Sequence, residues 1–232
     1  MTEEIDAIVF DAGGTLFDMR PSREEIFADV LCANGFDVNQ NALAAAIRRA
    51  NRLLDKEFAD LEGGDDSSFW MKFDDLVLDE IGHRDDHSKI ATELSAAFQK
   101  IVPEVGSWVD FPEAKSVLHL LRGRELKLGV VSNATDLVRR VLDNLDLTRD
   151  FDFIIVSSEV GINKPSPRIF QLAAEKARTS PNRMIYVGDK LSTDVVGASK
   201  AGMNAILVDR ANVYPDADCL RIKDLNFFRN FL

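Results

Sequence analysis

The sequence predicts an α/β fold: a parallel sheet covered by helices on both faces, with an all-helical unit inserted after the first strand. Two observations carry this. From about residue 105 onward, short apolar runs alternate with helical segments, the pattern of strands buried on both faces. Between the first such run, at 6–10, and residue 105, apolar residues recur only at steps of three or four. The chain has 232 residues, 46% of them hydrophobic and 29% charged, so it can bury a core without crosslinks.

Taken in order, Asp6-Ala7-Ile8-Val9-Phe10 reads as a buried strand that delivers Asp11 to its C-terminal end, followed by a turn at Gly13-Gly14. Ser22 and Glu25 have the spacing of a capping box, and Gly35 marks a stop. Leu43, Ile47, Ala50, Leu54, Phe58 and Leu61 line one face of a second helix, ended by a linker at Gly63-Gly64-Asp65-Asp66. Phe69, Phe73, Val77 and Ile81 give a third, stopped at Gly82. Ile90, Leu94, Ala97 and Ile101 give a fourth, stopped before Pro103. Further strands are expected at 127–131, 153–156, 184–187 and 205–208, with helices near 112–122, 136–145, 167–177 and 194–201. Phe227-Phe228 to Phe231-Leu232 reads as a docked terminal helix. The division follows: a core of 1–19 and 105–232, and a helical unit of 20–104.

The net charge of −11 repels phosphate backbones, so no nucleic-acid partner is expected. A local cation can still take a small anion. Cys32 and Cys219 have no metal-type spacing, which points to a reduced chain without a zinc site. No apolar run approaches the roughly 18 residues of a membrane span. The acidic start Met1-Thr2-Glu3-Glu4 is unlike a signal peptide, so a cytoplasmic protein with no membrane partner is expected.

In sheets of this kind ligands sit at the carboxyl ends of the strands. The polar residues fall there. Asp11-Ala12-Gly13-Gly14-Thr15 follows the first strand, Ser132-Asn133 the second, Lys164-Pro165 the third, and Gly188-Asp189 with Asp194 the fourth. Singly, each has a simpler reading: Asp11 as a turn residue, Ser132 as a helix entry, Lys164 as a solvated lysine, Asp194 as a helix cap. Together they put carboxylates, a lysine and hydroxyls on one rim. Carboxylates suit a hard cation such as Mg2+, and Lys164 and Ser132 suit an anion. That set fits phosphoryl transfer, where positioning and charge neutralisation dominate.

These four segments, in this order and each after an apolar strand, resemble the motifs of the haloacid dehalogenase superfamily. The resemblance spans positions 11 to 194. It implies a Rossmann-like core, and it makes the helical unit similar to that family's mobile α-helical cap. It implies Asp11 as the nucleophile that forms an aspartyl-phosphate, with Thr15 supporting its loop. It implies Asp11, the Gly13 carbonyl, Asp189 and Asp194 around Mg2+. Ser132, the Asn133 main-chain amide and Lys164 would hold the phosphate of a small phosphorylated metabolite.

One position departs. Phosphatases of this family carry a second Asp two residues after the nucleophile, as general acid and base; here that position is Gly13. Dehalogenating relatives resemble DxYGT, and phosphonate-cleaving relatives use a cap lysine. Lys56 and Lys72 are candidates for such a lysine only as ordinary helix-surface residues. Three readings stay open: a phosphatase, a haloacid dehalogenase or phosphonate hydrolase, and a weakly active member that binds phospho-ligands. A positive φ at Gly13 would make a side chain there costly. Of the other polar residues, His83 and His87 read as solvated, His119 as partly buried, and Trp70 with Phe73 as core of the helical unit.

Overall fold

Alternation along the first strand sets the layers. In the computed structural model, which describes residues 4–61, 67–83 and 87–231, strand β1 (Ala7–Phe10) is wholly buried. Ile8 and Phe10 face one side of the sheet, Ala7 and Val9 the other. The expected linker at 63–66 and the His87 side chain lie outside the described residues.

β1 is flanked by β4 (Lys127–Ser132) and β6 (Met184–Gly188), with β5 (Phe153–Val156), β7 (Asn204–Val208) and β8 (Leu220–Ile222) outside them. The order is β5-β4-β1-β6-β7-β8, and every pair is parallel. Helices α5 (Ala114–Arg122) and α6 (Leu137–Asn144) bury Leu118, Leu121, Val138 and Leu142 in the cluster on the Phe10 face. The short α10 (Phe228–Phe231) adds Phe228 to the same cluster, so the terminal helix is docked as expected. α8 (Pro167–Ala177) and α9 (Val196–Lys200) cover the Val9 face with Ile169, Phe170 and Ala198. Truncating a filled position such as Phe10 or Phe170 to Ala costs about 3–5 kcal/mol.

α1 (Arg23–Ala33), α2 (Gln40–Ala59), α3 (Ser67–Glu80) and α4 (His87–Ile101) pack around a separate apolar cluster that includes Phe27, Leu43, Phe73, Val77 and Leu94. The capping box forms: Glu25 N–H donates to Ser22 Oγ at 3.2 Å, and Ser22 N–H to the Glu25 carboxylate at 2.6 Å. Trp70 and Phe73 belong to this cluster as expected, Phe73 fully buried and Trp70 half-buried.

Several short elements were not anticipated. β2 (Phe17–Met19) and β3 (Trp108–Asp110) pair antiparallel where the chain leaves and re-enters the sheet, holding the two connections of the helical unit together. Three-residue strands are too short to show a period. β8 and α7 (Ser157–Val160) are equally too short to show one. The helix expected at 194–201 begins earlier, as a π-helical turn at Leu191–Val195 that runs into α9. Two histidine expectations are corrected. His119 is exposed and stands 3.4 Å from Asp150, because it lies on the outer side of α5. His83 is half-buried with its ring 4.3 Å from that of Phe36. Both cysteines are free. Among the described residues no helix is long and apolar enough to cross a membrane.

Asp74 of α3 is a buried acid inside the helical unit. Arg23 is its ion-pair partner, at 3.9 Å, and the guanidinium also lies over the rings of Trp70, Phe73 and Phe98. Burial pushes the Asp74 carboxyl up to about 7. The native state therefore keeps this proton long after an unfolded chain has released it near 3.8. Native Asp74 binds more protons than unfolded Asp74, so its contribution to stability falls as pH rises from about 4 to 7. Asp74→Asn removes that loss. Relative to wild type, it gains on the order of 3 kcal/mol between pH 4 and pH 8, measured by urea unfolding across that range. A difference that does not change with pH would refute the assignment.

Candidate active site

The turn after β1 places Asp11. Its N–H donates to the Val187 carbonyl at 2.8 Å, and the Ala12 carbonyl accepts from Leu16 N–H at 2.8 Å, closing a tight loop. Gly14 takes φ +76°, and a Cβ there would lie 2.6 Å from Asp189 Oδ2. Only glycine fits that corner. Gly13 is different. Its φ is not in the left-handed region, and a Cβ would meet nothing within 4 Å. The strain expected at Gly13 thus belongs to its neighbour, and position 13 has room for a side chain.

Lys164 reaches the rim from the loop before α8. Its side chain is 3% exposed, and three acceptors surround the ammonium: Asp11 Oδ1 at 2.6 Å, Asp194 Oδ1 at 2.7 Å and Tyr186 Oη at 3.0 Å. An ammonium has three protons, so all are taken. The Tyr186 hydroxyl in turn donates to the Val131 carbonyl at 2.8 Å. The Lys164 main chain is held by Asn133, whose Oδ1 accepts its N–H at 2.8 Å and whose Nδ2 donates to its carbonyl at 2.9 Å. The Asn133 side chain is therefore committed to Lys164. Ser132 is buried at the end of β4. Thr15 is buried too, its hydroxyl without a hydrogen-bond partner among the described residues and its carbonyl accepting from Arg210 Nη2 at 3.0 Å.

The turn after β6 supplies the other two acids. Asp194 is fully buried, and its Oδ2 accepts from Lys190 N–H at 3.0 Å. This bond folds the π-helical turn back so that Asp194 lies under Gly188, where a Cβ would stand 2.3 Å from its carboxylate. π-helical turns concentrate at functional sites. Asp189 is half-buried, with Lys190 Nζ at 3.5 Å.

One carboxylate oxygen from each of Asp11, Asp189 and Asp194 lies within 4.8 Å of the others. Burial pushes Asp189 up to about 7 and raises Asp11, with Lys164 opposing the latter. Burial alone would lower Lys164, but Asp11 and Asp194 more than reverse this and hold its proton well above the ordinary lysine range. Three carboxylates against one buried ammonium leave excess negative charge with oxygen donors only. That donor set fits a hard divalent cation such as Mg2+. Of the residues expected on the rim, the structure joins Asp11, Lys164, Asp189 and Asp194 directly and adds Asn133 through Lys164. Tyr186 was missed, since a tyrosine inside an apolar run reads as core.

Residues 5–202 match the model of the haloacid dehalogenase-like hydrolases. The chain is 30% identical over 210 residues to human haloacid dehalogenase-like hydrolase domain-containing protein 3, covering 88% of this chain and 82% of that protein. It is 37% identical over 139 residues to the phosphoserine phosphatase of Thermus thermophilus, covering 58% and 55% of the two chains. A magnesium-bound HAD-hydrolase of Bacillus subtilis, YfnB, superposes with a TM-score of 0.67 over 99% of both chains, at 18% identity. Other relatives carry the names of glyceraldehyde 3-phosphate phosphatases and of a 2-haloacid dehalogenase. With six parallel strands in the order described and this set of acids at their carboxyl ends, the chain belongs to the haloacid dehalogenase-like hydrolases.

Proposed function

We propose that the protein is a magnesium-dependent phosphatase of a small phosphorylated metabolite. The observation that carries this reading is the cluster of three carboxylates, of which buried Asp11 and Asp194 share one fully engaged lysine and half-buried Asp189 faces them. A site built to attack a neutral carbon has no need of a third acid. A site built to bring a carboxylate against a phosphate dianion needs a cation, and the third acid helps to bind one. The named phosphatases among its relatives agree.

Asp11, the Gly13 carbonyl, Asp189 and Asp194 would hold the Mg2+ ion. When bound, the ion supplies positive charge to offset that of the transferring phosphoryl group. An Asp11 carboxylate oxygen attacks phosphorus in line, the bond to the ester oxygen breaks, and the ester oxygen takes a proton from water. Lys164 neutralises Asp11 and the phosphate on one side, while Ser132 and the Asn133 N–H hold phosphate oxygens. Thr15 braces the loop. Water then attacks the phosphorus of the aspartyl-phosphate, releasing phosphate and restoring Asp11. The helical unit, 20–104, acts as a cap over the core of 1–19 and 105–232. Closing it expels water from the reacting groups.

A second reading is haloacid dehalogenation, in which Asp11 attacks carbon. Gly13 favours it, because a halide leaves without a proton. The test is phosphate release from a panel of phosphorylated metabolites with and without chelator, beside halide release from 2-haloacids. Phosphate release abolished by chelator is expected. Halide release indifferent to chelator, with no phosphate, would overturn the proposal. Asp189→Ala should raise the dissociation constant for Mg2+ by at least the roughly 10- to 100-fold that loss of an outer-shell partner costs. Calorimetric titration measures this directly, and an unchanged affinity would remove Asp189 from the metal site.

A further inference from the structure

The helical unit touches the core through more than its two connections. Asn51, Asp55 and Phe58 stand at i, i+4 and i+7 on α2 and so share one face. That face lies on the segment 190–192. Asp55 is an acid buried at the centre of this seam, 7% exposed. Its Oδ2 accepts from Ser192 N–H at 3.0 Å, its Oδ1 from the Tyr214 hydroxyl at 2.7 Å, and its carbonyl from the Ser192 hydroxyl at 2.7 Å. On either side, Lys190 Nζ donates to Asn51 Oδ1 at 3.4 Å and stands 5.8 Å from the Phe58 ring centroid. Tyr214 is fixed as well, because its N–H donates to Asp209, which is paired with Arg221 at 3.0 Å.

A buried carboxylate persists only where donors satisfy it. Here the donors come from the core, 137 and 159 residues away in sequence. Ser192 lies between Asp189 and Asp194 on the π-helical turn. We propose that Asp55 is a positioning residue that clamps the helical unit onto segment 190–194 and thereby fixes where Asp189 and Asp194 stand. The unit then cannot swing away on its two connections without breaking the two hydrogen bonds from Ser192 on the turn that carries the acids, and a third from Tyr214. Opening the cleft and loosening the site become one event. The consequence for metal binding rests on the assignment of Asp189 and Asp194 to Mg2+; the consequence for the motion of the segment does not.

The test uses the full chain without metal. Hydrogen exchange is followed by mass spectrometry for wild type, Asp55→Ala and Tyr214→Phe. In Asp55→Ala, amides at 190–196 should exchange about tenfold faster or more, while those at 184–187 keep their protection. Tyr214→Phe keeps the ring and removes one bond, so a smaller rise is expected; it also carries the test if Asp55→Ala does not fold. Lys72→Gln breaks the exposed pair, 2.7 Å long, between Lys72 of α3 and Glu57 of α2, and should leave 190–196 unchanged. Unchanged exchange at 190–196 in the Asp55 and Tyr214 variants would overturn the clamp. So would equal loosening by Lys72→Gln, which would mean a general weakening of α2. Titration with Mg2+ alone then reads the second half: Asp55→Ala should bind about tenfold more weakly or worse, though it removes no ligand. Faster exchange with unchanged affinity would refute the effect on the acids. A wild type that binds no Mg2+ would refute the metal assignment and leave the exchange result standing.

Discussion

Asp11→Asn should abolish turnover, by roughly 10⁴-fold or more, while the protein stays folded. The geometry makes this substitution a clean one. Asp11 N–H is tied to the Val187 carbonyl, and Lys164 Nζ meets Oδ1 at 2.6 Å. Asparagine has the same shape and keeps an oxygen for that lysine. It loses the anionic nucleophile. An amide oxygen does not attack a phosphate ester at a useful rate, so no covalent intermediate forms. The measurements are phosphate release, acid-quench trapping of labelled phosphoryl on the protein, and thermal unfolding. Wild-type turnover with a normal melting transition would remove Asp11 from the chemistry. Lost turnover with an intact transition and no trapped label is the expected result.

Gly13→Asp should accelerate hydrolysis of substrates with poor leaving groups by about 10²–10⁴-fold and leave aryl and acyl phosphates little changed. Wild type has no side chain at position 13 to protonate an alkoxide. Its rate should therefore depend steeply on leaving-group pKa, and the variant's weakly. The structure supports the substitution, since a Cβ at Gly13 meets nothing within 4 Å and the positive φ lies one residue later, at Gly14. The check is a series of phosphate esters on both proteins, with chemistry shown to be rate-limiting. A flat wild-type series would mean that another group already supplies the proton. A steep series that Gly13→Asp does not flatten would mean that a carboxyl here cannot reach the leaving oxygen.

Much of this protein is determined locally. The run at Ala7–Phe10 is apolar throughout, as a strand covered on both faces must be, and it ends at an acid and two glycines. Ser22 and Glu25 satisfy each other across one helical turn, and Leu43, Ile47, Ala50 and Leu54 repeat at the spacing of one helix face. Such patterns state which side of an element is buried, and neighbouring residues suffice to state it. Because ligands gather at the carboxyl ends of parallel strands, the order of elements by itself also points Asp11, Ser132, Lys164 and Asp189 to one rim.

What only the tertiary structure decided is which atoms meet. Tyr186 lies in an apolar strand, and nothing along the chain says that its hydroxyl serves Lys164, 22 residues away. Asp55 lies beside the apolar stripe of α2, on a face that by itself reads as polar surface; Ser192 and Tyr214 make it a buried acid. Asn133 offers its main-chain N–H as a phosphate contact, and nothing along the chain says that its side chain holds the Lys164 main chain. The two glycines of the first turn are equivalent in sequence, and only the folded backbone, with its positive φ and Asp189 at Gly14, separates that crowded corner from the open Gly13. In each case the partner comes from another strand end or another helix. Periodicity fixes a face over a few residues, whereas a hydrogen bond needs a position fixed to within a few tenths of an ångström. That position depends on sheet register and helix packing, which the whole chain sets at once.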